Sequence, residues 1–348
     1  MIQLSISFLL FGIAFLVIIL LSLMLYLFVQ RQRESRFEKV CDRYLQNYSQ
    51  LWYDYLFNQE LFSIVLVPRN RAQVEGVEMI FSSYLKNITN ANVQQAIQQF
   101  ANQYLKKFYE KDLSNKRWSI RMNALYHIAD LQMDELLPAC QELEKRNISA
   151  EEHFQLLKIY SYFHVDLFME KLQASHINYS ESEYRRLFVL LEEDVFIRFF
   201  DDFNSWSAAI QFAVIDTSAV KRNMQYIDQL KMLLNHDVAE IKIRALKGLY
   251  EIGIIDEIDT YLPFVTSDMW EARLMVAKIF KHVPLTYTYR YLEQLLQDEN
   301  WWVRSQAAKT ISEDRQGLTK LQQFIETSND QYAIEIAQEI IARKEGSV

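Results

Sequence analysis

Six histidines, at positions 127, 153, 164, 176, 236 and 282, are the side chains best suited to metal ligation or proton transfer at neutral pH. No two of them stand four apart and no His-Glu-x-x-His occurs, so no helix carries a zinc pair on one face. Glycines at 12, 76, 248, 253, 317 and 346 are too sparse for a Gly-x-Gly-x-x-Gly or Walker loop, and there is no Gly-x-Ser-x-Gly. Cys41 and Cys140, 99 positions apart, supply neither a disulfide framework nor a zinc cluster. They read as reduced, partly buried thiols. Paired acids such as Glu192/Glu193 and Asp201/Asp202 have the right chemistry for general acid–base work. On a helical chain they read as solvated faces and caps. These patterns predict a protein that is not an enzyme and has no cofactor and no metal.

Another set of residues does repeat. Trp-x-x-Arg occurs at Trp118/Arg121, Trp270/Arg273 and Trp301/Arg304. Lys242, Arg273 and Arg304 are 31 residues apart twice over, and the period also relates Lys247, Lys278 and Lys309. Tryptophan is enriched where proteins bind proteins. Trp301 and Trp302 are adjacent, so on a helix they point about 100° apart and cannot both face one core. Trp301, Trp302, Trp270 and Trp118 are therefore the candidate partner-binding residues.

The elements that must position these residues are helices. Only six glycines and four prolines occur in 348 residues, too few turn-formers for a β-sandwich or barrel. Half the chain is apolar and 14% is aromatic, ample for a large core. From about residue 37 the apolar pattern has helical period, as at Tyr226, Ile227, Leu230, Leu233 and Leu234. Asp237 followed by Glu240, and Ser149 followed by Glu152, have capping-box spacing. Helix starts are predicted near 116, 150, 181, 206, 238, 269 and 300, or about seven helix pairs.

The amino-terminal stretch is different. Residues 8–29 hold 17 Leu, Ile, Phe or Val and no charge. As a helix they span about 33 Å, enough to cross a bilayer, and their insertion is favourable by roughly 7 kcal/mol. A cleaved signal fits poorly: the run is too long, and no basic residue precedes it. Arg31, Arg33, Arg36 and Lys39 follow it as a membrane-proximal basic flank, which predicts the N-terminus outside and the rest in the cytoplasm. The net charge of −8 opposes nucleic acid as a partner.

The 17 residues 295–311, LLQDENWWVRSQAAKTI, resemble the HEAT-repeat consensus. A Leu-rich first helix leads to an acidic turn, and Val-Arg-x-x-Ala-Ala opens a second helix. Residues 237–252 and 268–280 match more loosely, 92–140 more weakly still, and 145–215 depart from the pattern. The resemblance implies a HEAT-like α-solenoid with second helices lining a concave face; with the apolar run, the expected fold is all-α, a single transmembrane helix followed by that solenoid. It also implies that the repeated Asp and Arg are structural, Asp268 pairing with Arg273 and Asp298 with Arg304, with Asp237 and Lys242 in the equivalent places. The expected organisation is an anchor over 1–30, a juxtamembrane linker and helical cap over 31–91, repeats over 92–315 and capping helices over 316–348. The expected function is a scaffold or adaptor in a bacterial membrane, binding a membrane-associated protein such as an envelope glycosyltransferase, with the bilayer contacted through 8–29. One alternative is a small-ligand sensor using Phe196, Phe199, Phe200 and Phe203. A HEAT-like enzyme of the DNA glycosylase or bilin lyase type is disfavoured by the charge and the tether.

Overall fold

The computed structural model describes residues 6–58, 60–87 and 90–346, with 6–14 given by their backbone alone. The described residues form helices and connecting turns, with no strand. They belong to two compact units, residues 1–174 and 175–348.

In the first unit, α1 (Ile6–Phe57) runs unbroken for 52 residues. Between Gly12 and Pro68 the chain has neither glycine nor proline, so nothing interrupts the helix as it leaves the apolar stretch. Of the anchor expected over 1–30, residues 1–5 lie outside the described residues. Every side chain from Phe15 to Val29 is exposed. The helix is long and apolar enough there to cross a membrane. Arg31, Arg33, Arg36 and Lys39 continue it, all exposed. Burial begins at Cys41 and recurs at Tyr44, Trp52 and Leu56, a stripe at helical spacing.

That stripe docks on α2 (Arg71–Asn87). Trp52 lies edge-on to Phe81 and Phe100 at 4.8 and 4.7 Å, and its indole N–H donates to Tyr44 Oη at 3.1 Å. Tyr44 Oη in turn donates to the Leu66 carbonyl at 2.5 Å. Gly76 permits the close crossing, since a Cβ there would sit 2.8 Å from the Tyr44 ring. There follow α3 (Ala91–Phe100), α4 (Lys106–Leu113), α5 (Trp118–Asp130), α6 (Leu137–Glu144), α7 (Ala150–Phe163) and α8 (Val165–Ala174). Both thiols are free and buried, and burial pushes the Cys140 thiol up to about 12.

A charged cluster is buried between α2, α4 and α5. Glu78 accepts a hydrogen bond from Tyr109 Oη at 2.6 Å, meets Arg71 at 3.1 Å and lies 3.5 Å from His127 Nε2. Arg71 also reaches Asp112 at 3.3 Å. Removing one member strands the others in low dielectric. Glu78→Ala is expected to cost about 2–3 kcal/mol, discounted for the one-third exposure of Arg71, and thermal unfolding of this unit reports it.

The second unit contains α9 (Glu181–Phe188), α10 (Glu193–Asp201), α11 (Ala208–Lys221), α12 (Ile227–Leu233), α13 (Ala239–Ile252), α14 (Trp270–Ile279), α15 (Leu285–Leu296), α16 (Trp301–Ser312), α17 (Gly317–Thr327) and α18 (Gln331–Glu345). Helices α9, α11, α13, α14, α16 and α18 pack in succession as one layer; α12, α15 and α17 each pack on the following helix. Each pair thus buries its surplus apolar face on its neighbours, as repeat arrays do.

The expected helix starts match the observed ones, at 118, 150, 181, 208, 239, 270 and 301, within two residues. The Ser149/Glu152 capping box forms in both directions, and a second joins Ser180 to Glu183. Asp237 caps nothing: Val238 occupies the N-cap of α13, and Asp237 is exposed. The helix expected before α14 is also reduced, to two 3₁₀ turns at Ile258–Thr260 and Leu262–Phe264. Pro263 offers no amide to an α-helical ladder there. Tyr261 and Val265 in this stretch are buried. Gly253 closes α13 at φ +78°, where a side chain would be strained.

Candidate functional site

Three arginines hold the turns in register. Arg121, Arg273 and Arg304 each stand in the fourth position of a helix, so their side chains lean back over the preceding turn. Arg121 Nη1 donates to the Asn115 carbonyl at 3.0 Å, and Arg273 Nη1 to that of Ser267 at 2.6 Å. Arg304 Nε donates to that of Asp298. Each acceptor lies six residues before its arginine. The rest of each guanidinium reaches forward to an acid of the next repeat. Arg121 Nε donates to Glu152 at 2.6 Å. Arg273 grips both carboxylate oxygens of Asp298 at 2.6 and 2.9 Å and meets Glu299 at 3.2 Å. Arg304 Nη1 contacts both oxygens of Asp330 at 2.8 Å.

This corrects the pairing expected from the resemblance. Arg273 takes Asp298 rather than Asp268, and Arg304 takes the Asp330 carboxylate and only the backbone carbonyl of Asp298. The reason is reach: the turn behind each arginine presents a carbonyl to it, while Asp268 is exposed. The acids gripped are themselves tied to the next turn. Glu152 accepts from the Ser149 amide, Asp298 from that of Asn300 and Asp330 from that of Ala333. The Asp298 hydrogen bonds lift the Arg273 guanidinium above its ordinary value. Burial works against the charge on Asp330, but hydrogen bonds from Arg304 and the Ala333 amide outweigh it and hold the carboxyl below its usual range.

Lys242, equivalent in sequence to Arg273, makes no ion pair; an ammonium lacks the planar fork that binds both a carbonyl and a carboxylate. Arg244 substitutes, facing the other way. It bonds Glu240 at 2.6 Å and both Asp216 and Glu181 at 2.9 Å, and lies 4.3 Å above the Phe212 ring. Sequence reading missed this residue, although Glu240 and Arg244 have the i, i+4 spacing of a helix ion pair.

The tryptophans stand at the helix starts beside these arginines. Trp118 is exposed, its indole N–H donating to Ser149 Oγ at 3.0 Å, and Trp270 is half-buried. Trp301 and Trp302 are both exposed, at 53% and 61%, with their rings edge-to-face at 4.8 Å. Burial on α16 begins only at Val303. Side chains at the first two positions project past the helix end, where no preceding turn covers them. Tyr332, second in α18, is 72% exposed with Arg304 at 5.8 Å from its ring. Sequence reading passed over it because α18 opens without the Trp-x-x-Arg signature. Trp301, Trp302 and Tyr332 thus edge two adjacent helices.

The four phenylalanines considered for a ligand site are mostly core. Phe196, Phe199 and Phe203 are buried, and they pack among Phe188, Trp206, Phe200 and Tyr226. Phe200 and Phe203 also line an open pocket of about 480 Å³ with Asn204, Gln229, Met232 and His236. Among the described residues no group of three or more His, Cys, Asp or Glu is placed to hold a metal ion.

The HEAT repeat family model matches residues 289–313, which hold most of α15 and all of α16. The α15–α16 segment is thus similar to a single HEAT repeat within an all-helical array. An engineered protein whose crystal structure came from a structural genomics consortium is similar at 14% identity and TM-score 0.35, over 89% of this chain and 98% of that one. A second engineered protein from the same consortium is similar at 13% identity and TM-score 0.24, over 76% and 96%. No curated protein matches the chain.

Proposed function

We propose that this protein is a membrane-anchored scaffold whose helical repeats bind a second protein held at the same membrane. The carrying observation is the exposed aromatic edge of Trp301, Trp302 and Tyr332, placed beside a rigid arginine–carboxylate ladder. Large aromatic rings on a preorganised support bury much area at little entropic cost. Trp270 and Trp118 extend the same feature to other helix starts. The apolar half of α1 tethers the repeats to a bilayer, and the basic flank sets them on the cytoplasmic side. A bacterial cytoplasmic membrane suits this arrangement, and a membrane enzyme is the class of partner that the tether favours. Tethering raises the effective concentration of such a partner without any new contact.

The test is crosslinking in cells expressing the tagged full-length chain, followed by membrane solubilisation and mass spectrometry of co-purifying proteins. One dominant membrane protein is expected, reduced at least tenfold in the Trp301→Ala/Trp302→Ala variant, since hot-spot tryptophans each carry about 2 kcal/mol or more. Equal recovery with the variant would remove the aromatic edge from the binding surface. Absence of any enriched protein would remove the scaffold reading.

A further inference from the structure

Five residues beyond each ladder position, the second-unit layer carries another row. Lys247, Lys278 and Lys309 occupy equivalent places on α13, α14 and α16, and α14 packs against both of the others. Among the described residues none of the three lysines makes an ion pair. The acids one turn further on are engaged elsewhere: Glu251 pairs with Arg222 at 2.6 Å and Glu313 with Lys281 at 3.0 Å. One turn beyond Lys278 stands His282, whose imidazole is held below its ordinary value by burial and by Lys281. Lys278 is half-buried between the other two. Burial first, then the charges of Lys247 and Lys309, lower its ammonium pKa. On a chain of net charge −8, three neighbouring cations thus lack a direct ion-pair partner, and at Lys278 the charge of Glu251 offsets its lysine neighbours only in part. Like charges set side by side oppose folding of the free protein and are relieved by an anion lying across them.

Spacing identifies the anion. Packed helices stand about 8–10 Å apart, so the row presents an ammonium roughly every 9 Å. A single phosphate or carboxylate cannot span all three. A peptide extended as a polyproline II helix advances about 3.1 Å per residue with three residues per turn, so acidic side chains at every third position repeat on one face at about 9 Å. A flat anionic membrane fits less well, because Glu251, Glu313 and Asp314 flank the row and would be pressed against the headgroups. The recessed Lys278 also suits a narrow chain better than a plane.

We infer that Lys247, Lys278 and Lys309 form a docking row for an extended acidic segment of a partner protein, with Asp or Glu at every third residue. The row is distinct from the aromatic edge, which lies at the starts of α16 and α18 whereas Lys309 stands near the end of α16, and the inference stands if that edge binds nothing.

The test uses the full-length chain in neutral detergent and a fluorescent peptide carrying Asp at every third position, with binding read by anisotropy at low salt. A peptide of the same composition with its Asp residues clustered is the control. The spaced peptide is expected to bind at least about tenfold more tightly than the clustered one. The Lys247→Gln/Lys278→Gln/Lys309→Gln variant is expected to lose that preference and to melt no lower than the parent. The corresponding Lys→Arg variant, which keeps the charges, is expected to retain binding and guards against a folding defect in the Gln variant. Equal affinity for both peptides, or unchanged binding by the Gln variant, would overturn the proposal. So would capture of anionic vesicles by the parent but not by the Gln variant, without peptide binding; that outcome would assign the row to a membrane surface.

Discussion

Deleting residues 1–36 is expected to move the protein from the membrane pellet to the soluble fraction and to leave its helical units folded. The first effect is large because residues 8–29 favour insertion by roughly 7 kcal/mol, about five orders of magnitude in partitioning. The second follows from where burial starts. No side chain between residues 15 and 36 is buried, whereas Cys41, Tyr44, Trp52 and Leu56 anchor the remaining half of α1 to α2. Alkaline extraction of membranes followed by ultracentrifugation reads the first effect, and thermal unfolding of the deletion variant reads the second. A deletion variant that still sediments after extraction would show that something other than the apolar helix holds the chain to membranes. Loss of the unfolding transition would show that the exposed half of α1 supports the fold.

Arg273→Ala is expected to destabilise the second unit by about 3–5 kcal/mol, as removal of one partner of a buried ion pair does. Arg273 and Asp298 are both almost wholly buried, at 9% and 7% side-chain exposure. The truncation leaves the Asp298 carboxylate with only the Asn300 amide and takes the donor from the Ser267 carbonyl. For a unit of this size the melting temperature should fall by roughly 10 °C or more. Arg273→Lys should recover little, since one ammonium cannot reproduce the two-oxygen grip together with the carbonyl bond. Lys242 illustrates the point, standing at the same repeat position without a partner. Urea unfolding followed through tryptophan fluorescence is the direct measurement, because Trp270, Trp301 and Trp302 lie next to the pair in sequence. A loss below about 1 kcal/mol would mean that the pair only balances its desolvation.

Much of the architecture was legible because it is written in local chemistry. Polar breaks, the 31-residue period and helical apolar stripes located seven helix starts to within two residues, including those in the irregular stretch 145–215. Ser149 and Glu152 formed the expected capping box because both partners belong to one turn of backbone. The apolar run before Arg31 was equally plain, since solvent transfer depends on composition more than on neighbours.

What failed to read from sequence depends on side chains meeting across helices. Asp237 and Glu240 have the same spacing as a capping box and form none, because the backbone enters α13 one residue later. A count of about seven helix pairs leaves a first helix to be placed between Gly253 and Asp268, where Pro263 limits the chain to short 3₁₀ turns. Cys41, Tyr44, Trp52 and Leu56 were visible as an amphipathic stripe, but the edge-on packing of Trp52 on Phe81 and Phe100 was not.

By itself, then, the sequence determined the helical class, the repeat period, the apolar helix and the charge that accompanies it. These follow from interactions within a few residues, where spacing alone sets geometry. Only the tertiary structure decided that Arg273 grips Asp298 rather than Asp268, that Trp301 and Trp302 are both exposed, and that Lys247, Lys278 and Lys309 stand side by side without a direct ion pair among the described residues. Each of these depends on which groups a neighbouring helix presents and which it has already engaged, and that is a property of the packed array.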